Sequence, residues 1–149
     1  MTLFARGLRV LWRRRRWLFG AYLLYALFAI PSRTHFQLVV PACNMRVAAE
    51  TVGPSLRKTP HIVLFGVFCA LVLLQFDRVD RRSLAWSVVA TTVLGAIIEL
   101  EEGATRTGNC RLTDLLPDVI GAVSVAAISG AVVLALRARR GGEHRIRSN

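Results

Sequence analysis

Ionisable residues are concentrated in one short segment of an otherwise apolar chain. Residues 97–121 read IIELEEGATRTGNCRLTDLLPDVIG, and apolar runs lie on both sides. The ionisable residues in this segment are Glu99, Glu101, Glu102, Arg106, Arg111, Asp114 and Asp118. Because charged groups are costly next to apolar runs, this density of charge predicts either a solvated loop or a functional site.

Two pairs of carboxylates in this segment have helical spacing. Glu99 and Glu102 are three residues apart, and Asp114 and Asp118 are four apart, so each pair shares a face if its segment is helical. Asp118 lies a turn inside the following apolar run, where an ionisable residue usually faces a bundle interior or a cavity. Asp114 has a structural alternative, as the N-cap or first-turn acid of that helix.

The segment from Arg57 to His61 adds a cation and an imidazole. We expect Thr59 to be the N-cap of a helix with Pro60 at its first position, which suits the missing N–H of proline. Lys58 then precedes the helix, and His61 lies in its first turn. A neutral imidazole here can accept a proton or a hydrogen bond, and a purely structural hydrogen bond is the alternative.

Three kinds of site are compatible with these residue types. General acid–base catalysis would use the candidates His61, Glu99 and Asp114. Binding of a ligand or lipid would use the candidates Lys58, Glu102, Arg106, Arg111 and Asp118, of which the cations suit a phosphate-bearing headgroup. A self-neutralising ion-pair network would need no ligand.

No cofactor is predicted, although the carboxylates also suit a hard divalent cation. The sequence has no nucleophile elbow, P-loop or Cys-x-x-Cys pair. The polar residues therefore do not decide among catalysis, ligand binding and a structural ion-pair network.

The composition predicts that these residues belong to a membrane protein. Hydrophobic residues make up 54% of the 149 residues and the mean hydropathy is +0.46, whereas soluble domains are roughly 45–50% apolar. Four apolar runs are expected to cross the bilayer, at residues 17–30, 62–76, 83–98 and 115–136. Only the last has the roughly 20 residues that cross a bilayer core unaided, so the others must extend into their flanks.

The basic residues are distributed unevenly around these four runs. With four crossings, fourteen Lys and Arg residues lie on the side of both termini and six on the other. The acidic residues leave the second side neutral, so the whole net charge of +11 belongs to the first side, which the positive-inside rule assigns to the cytoplasm. Because the basic residues flank apolar runs rather than cover one water-facing surface, no nucleic-acid partner is expected.

The predicted fold class is all-α, a polytopic four-transmembrane-helix bundle with an N-terminal basic amphipathic segment. Residues 1–16 are that cytoplasmic or interfacial segment, residues 17–136 the membrane domain, and residues 137–149 a basic cytoplasmic tail. The spacing of Arg6, Arg9, Arg13 and Arg16 suits a helix lying over anionic headgroups. A plain topology determinant is the alternative reading of the same arginines.

Two of the three cysteines fall in segments on the non-cytoplasmic side. Cys43 and Cys110 lie there, whereas Cys69 lies inside the second apolar run. We expect a Cys43–Cys110 disulfide if that compartment is oxidising, and it would hold the first outer loop over the polar residues. Two free thiols are the alternative.

The order and spacing of the polar residues resemble the VanZ-like family of bacterial membrane proteins. The family pattern is matched by Lys58 and His61, as K-x-x-H opening a membrane helix, and by Glu99 closing the next helix. An Arg-containing loop then leads to Asp114 in DLLPDVIG. The resemblance extends from Lys58 to about Gly130.

The chain departs from this family at three positions. Glu102 stands where the family usually has Gln, Asp118 where it has Asn, and Gly108 where it has the loop Arg. The resemblance implies a multi-pass protein of the bacterial cytoplasmic membrane with an outward-facing polar cluster, and it implies no settled reaction. Two functions follow as hypotheses: binding or organising an envelope lipid or cell-wall precursor, or acid–base catalysis on such a lipid by a membrane-embedded enzyme.

A reporter fused after Asn149 tests the predicted topology. The distribution of Lys and Arg places both termini in the cytoplasm and residues 97–121 outside. A reporter that is active only in the cytoplasm should therefore be active in this fusion. Activity of a reporter that works only outside the cytoplasm would contradict the topology and the outward position of the site together.

Overall fold

A computed structural model describes residues 3–29, 43–44, 49–105 and 110–147. The helices are α1 (Leu3–Ala29), α2 (Ala49–Leu56), α3 (Thr59–Leu73), α4 (Arg81–Thr105) and α5 (Leu115–Arg147), and a 3-10 turn (Leu112–Asp114) precedes α5. These ranges contain no β-strand, and an isolated β-bridge pairs Asn44 with Arg111. The predicted all-α class is confirmed for the part of the chain that the structure describes.

Helix α4 presents a row of small and polar side chains inward, next to the buried Leu94 and Ile98, and large apolar side chains outward. The inward positions recur every four residues and are buried: Ser83, Ser87, Thr91, Gly95 and Glu99. The hydroxyls of Ser87 and Thr91 donate to carbonyls of their own helix at 2.8 and 2.7 Å, so they need no partner on another helix. The outward face is exposed and apolar: Trp86, Val89, Val93, Ile97 and Leu100. This pattern is the inverse of a soluble surface helix and favours a lipid environment.

Helices α3 and α5 approach each other closely at Gly121. A Cβ added to Gly121 would overlap the carbonyl oxygen of Ile62 and lie 3.0 Å from the backbone nitrogen of Gly66. Further along α3, the thiol of Cys69 donates to the carbonyl oxygen of Ala122 at 3.4 Å. Small residues permit such approach between membrane helices, where van der Waals packing drives association. The spacing of α3 and α5 therefore depends on Gly121 having no side chain.

Aromatic side chains attach α1 to α3. The hydroxyl of Tyr22 donates to the carbonyl oxygen of Leu64 at 2.7 Å, and its ring stacks on Phe68 with centroids 6.2 Å apart. Phe19 packs on the same Phe68 ring at 5.6 Å. These contacts border the apolar core, which consists of Ala26, Phe65, Phe68, Val72, Leu94 and Ile98.

Two stretches of the described chain are long and apolar enough to cross a bilayer, by length and composition. They are Arg81–Thr105, of 25 residues, and Leu112–Arg139, of 28 residues. Only 11% of the most apolar window of the second stretch is buried, whereas the core helix of a soluble protein is mostly buried. Helix α3 is also apolar but has 15 residues. With the outward apolar face of α4, these stretches indicate a membrane-associated protein.

The start of α3 differs from the sequence-based expectation. Thr59 is not the N-cap, because α3 begins at Thr59 and the N-cap is Lys58. The carbonyl oxygen of Lys58 accepts the N–H of Ile62 at 3.4 Å, which makes Lys58 the residue that opens the helix. Pro60 remains in the first turn, where its missing N–H costs no helical hydrogen bond.

The helices at the two ends of the chain pass through the expected segment boundaries. Helix α1 is continuous across residues 16 and 17, so the basic segment and the first apolar run share one helix. Helix α5 is likewise continuous from the apolar run into the basic residues after position 136.

Gly121→Ala should destabilise the protein, whereas Gly66→Ala should be tolerated. The added Cβ at position 121 meets backbone atoms of α3 that cannot rotate away, and overpacking of this kind costs about 1–3 kcal/mol. At position 66 the nearest atoms lie 3.5 Å away, an ordinary van der Waals distance. Thermal unfolding of the two purified variants in detergent measures the difference. Equal losses would contradict the close approach at Gly121.

Candidate functional site

Six predicted site residues belong to one end of the bundle, where α3 begins, α4 ends and α5 begins. We call this group the polar cluster: Lys58, His61, Glu99, Glu102, Asp114 and Asp118. Three of its carboxylates are buried, with exposed fractions of 5% for Glu99, 7% for Asp114 and 1% for Asp118. Because a buried carboxylate is costly without hydrogen-bonding or charged partners, those partners define the cluster.

Asp118 lies on the first turn of α5 between α3 and α4. Its Oδ1 is 3.2 Å from Nδ1 of His61, which is a hydrogen bond when that nitrogen carries a proton. Its Oδ2 faces Gly95 so closely that a Cβ added there would lie 2.6 Å away. The His61 side chain is 22% exposed, and its ring stacks on Phe65 with centroids 6.1 Å apart. The pair thus connects a buried carboxylate to an imidazole at the protein surface.

Asp114 binds two donors from the segment that precedes α3. Its Oδ2 lies 2.8 Å from Nζ of Lys58, and its Oδ1 accepts a hydrogen bond from the Ser55 hydroxyl at 2.8 Å. Ser55 is buried on α2, whereas the Lys58 side chain is 40% exposed. An ammonium has three N–H donors, so Lys58 retains donors for a further group beyond Asp114.

Lys58 contacts one carboxylate of the polar cluster directly and acts on the other three through its charge. It pairs with Asp114 and also acts electrostatically on Glu99, Glu102 and Asp118. Glu102 is partly buried one turn beyond Glu99, and the charge of His61 acts on it as well. The arrangement neutralises part of the negative charge and leaves Lys58 reachable from outside.

Glu99 binds the segment after α4 through a backbone group. It accepts a hydrogen bond from the backbone N–H of Arg111 at 3.4 Å, while the residue Arg111 itself is exposed. The observed contact of Arg111 with Glu99 is therefore made by its main chain, and its predicted role in ligand binding stays a prediction. Arg106 lies in residues 106–109, which are outside the described part of the chain, and so does Gly108.

A disulfide between Cys43 and Cys110 lies beside this end of the bundle. The pair is the one expected from the sequence. Next to the disulfide, the N–H of Asn44 donates to the carbonyl oxygen of Cys110 at 2.9 Å. The N–H of Leu112 donates to the carbonyl oxygen of Asn44 at 3.2 Å. The disulfide and the two hydrogen bonds hold the segment that leads into the 3-10 turn and Asp114.

The carboxylates of the polar cluster also raise the question of a divalent cation. Among residues 3–29, 43–44, 49–105 and 110–147, no group of three or more His, Cys, Asp or Glu side chains is arranged to hold a metal ion. Lys58 and the Ser55 hydroxyl instead fill positions beside Asp114 that a cation would need.

Sequence reasoning missed two residues that shape the cluster. Ser55 lies in the eight-residue helix α2, where no periodic pattern pointed to a role. Gly95 makes room for the carboxylate of Asp118, and its place in the four-residue repeat of small residues on α4 was the available signal.

Comparison of the chain with protein-family models, curated proteins and solved structures found no match. The class of the protein therefore rests on its fold and site. It is an all-α, membrane-associated protein with buried carboxylates gathered around a lysine and a histidine.

Asp118→Asn should leave the fold intact, whereas Asp118→Leu should destabilise it. Asparagine keeps an oxygen acceptor for His61, while leucine leaves that imidazole unsatisfied at a cost of about 1–3 kcal/mol. Thermal unfolding measures the difference, with Asp77→Leu as the control, because the Asp77 side chain is 82% exposed and its ion pair contributes little. An equal loss for both Asp118 variants would mean that the carboxylate charge itself is required.

Proposed function

We propose that this chain is a multi-pass membrane protein whose polar cluster binds or organises a cell-envelope lipid or cell-wall precursor. The cluster faces away from the cytoplasm in this proposal, and both termini lie in the cytoplasm of a bacterial cell. The ligand is an amphiphile with a phosphate in its headgroup, and Lys58 is the residue that recognises the phosphate.

The observation that carries this proposal is the environment of Lys58. Its Nζ is held 2.8 Å from the buried carboxylate of Asp114, yet 40% of its side chain is exposed. A lysine positioned in this way keeps N–H donors for a phosphate and loses little side-chain entropy on binding it. Because Lys58 lies at the start of the apolar helix α3, a ligand with an apolar chain fits better than a fully soluble one.

Four crossings are supported by how the helices pack. Helix α3 has 15 residues but packs along α5, within the apolar stretch Leu112–Arg139, so both occupy the same apolar layer. Helix α1 packs on α3 through Tyr22 and Phe19. With α4, these helices form the four crossings of the proposal, and the excess of Lys and Arg at the other end of the bundle orients them.

The resemblance to VanZ-like proteins gains support from the geometry of the site. The residues that match the family pattern are separated in sequence, and Lys58, His61, Glu99 and Asp114 all belong to the polar cluster. We therefore include the chain among VanZ-like proteins as part of this proposal.

The His61–Asp118 pair favours a second candidate function, acid–base catalysis on the same class of lipid. A buried carboxylate that orients an imidazole through Nδ1 leaves Nε2 as the nitrogen that exchanges a proton with a substrate. In this candidate, Lys58 binds the headgroup and His61 acts as the general base or acid.

Binding of a polyprenyl phosphate to the full chain in detergent tests the proposal. We expect saturable binding in a thermal-shift titration, and Lys58→Gln should weaken it on the order of tenfold, because it removes a charge-assisted hydrogen bond. The matched control is Arg57→Gln, since Arg57 is the exposed neighbouring cation. Equal weakening by both variants, or no effect of Lys58→Gln, would overturn the assignment of Lys58.

His61→Gln separates the two candidate functions in the same preparation. A protein that only binds the polyprenyl phosphate should give no product by mass spectrometry in either the wild type or this variant. An enzyme should convert the lipid in the wild type and lose that conversion in His61→Gln while binding persists.

A further inference from the structure

Two open surface grooves adjoin at the end of the bundle opposite the polar cluster; we call the one that includes four charged residues the polar cavity and the other the apolar cavity. The polar cavity has a volume of about 440 Å³ and lies at the start of α4; it is lined by Phe76, Asp77, Arg78, Asp80, Arg82, Ser83 and Trp86. The apolar cavity, of about 340 Å³, extends between α1, α3 and α5. Phe76 and Asp77 belong to the walls of both cavities.

The acidic residues of the polar cavity already have partners within the protein. Asp77 pairs with Arg15 at 3.0 Å. Asp80 accepts the N–H of Ser83 at 2.8 Å, and this backbone hydrogen bond holds the pKa of the Asp80 carboxyl below its usual value. Both carboxylates are therefore engaged at the start of α4 or with α1.

The two arginines of the polar cavity, by contrast, are available to a ligand. Arg78 and Arg82 are exposed, and neither is in a close ion pair within the part of the chain that the structure describes. The charge of Arg82 also acts on the Asp80 carboxylate. Two guanidinium groups on one cavity wall suit a phosphate, since each offers N–H donors in a fixed plane. Trp86 is 55% exposed on the same wall, as is common for tryptophan at the level of lipid headgroups.

The apolar cavity is lined mainly by apolar side chains, which suit a hydrocarbon chain. Its walls include Trp12, Ala70, Leu73, Leu74, Val79 and Ser129 in addition to the shared Phe76 and Asp77. Arg15 fixes one wall, because its guanidinium lies 4.1 Å from the Trp12 ring and donates to the carbonyl oxygen of Leu74 at 3.3 Å. A chain in this cavity would be next to a headgroup in the polar cavity.

We infer that these adjoining cavities bind one anionic phospholipid. The phosphate lies between Arg78 and Arg82, and part of an acyl chain fills the apolar cavity. This site is separate from the polar cluster, and nothing in the role of Lys58 depends on it. The charge at this end of the bundle is strongly basic, which favours an anionic headgroup over a zwitterionic one.

Titration of the full chain in detergent with short-chain phosphatidylglycerol tests the inference. Thermal shift should show saturable binding, and the double variant Arg78→Gln/Arg82→Gln should weaken it on the order of tenfold or more. The matched control Arg13→Gln/Arg14→Gln removes the same charge from an exposed part of α1 and should keep the wild-type affinity.

A second variant and two further ligands examine the two halves of the site. Ser129→Phe fills the apolar cavity and should weaken binding of phosphatidylglycerol. Short-chain phosphatidylcholine and inorganic phosphate should each bind the wild type more weakly than phosphatidylglycerol does. Phosphate that binds as tightly as the lipid would show a site for soluble phosphates and overturn the lipid assignment. Equal weakening by the Arg13→Gln/Arg14→Gln control would show general surface attraction and overturn the site itself.

Discussion

The contact between α3 and α5 at Gly121 determines where the polar groups of this protein meet. Ile62 and Gly66 touch α5 directly at this point, so the register of the two helices is fixed by backbone atoms rather than by flexible side chains. His61 precedes that contact on α3, and Asp118 lies one turn before it on α5. A shift of either helix by one turn would separate the pair and leave a carboxylate buried without its partner.

The two ends of the bundle differ in whether their charged side chains are paired or in excess. At the polar cluster, buried carboxylates share Lys58 and His61, and the hydroxyl of Ser55 completes the bonding of Asp114. At the other end, arginines exceed the acids and several remain exposed to solvent or headgroups. The first arrangement suits selective recognition of one headgroup in a defined geometry. The second suits orientation in a membrane and attraction of anionic lipid.

The six residues of the polar cluster were all candidates in the sequence, but Ser55, Gly95 and the pairing of His61 with Asp118 were not predicted. Asp118 stood out because an ionisable residue within an apolar run is costly, and the structure places it at 1% exposure. Its pairing with His61 depends on contacts across 57 residues of sequence, which no local pattern encodes. The prediction of Thr59 as the N-cap is wrong. Pro60 is compatible with either of the first two helical positions, so the helix can begin one residue earlier than expected.

The coupling between Lys58 and Asp114 tests most directly whether the polar cluster is one interacting unit. Unfolding free energies would be measured in detergent for Lys58→Met, Asp114→Asn and the double variant, with Lys58→Met plus Asp77→Asn as the distant control. The 2.8 Å contact predicts that the double variant loses less than the sum of the single losses, by roughly 0.5 kcal/mol or more. Strict additivity for Lys58 and Asp114, as expected for the control pair, would contradict the account.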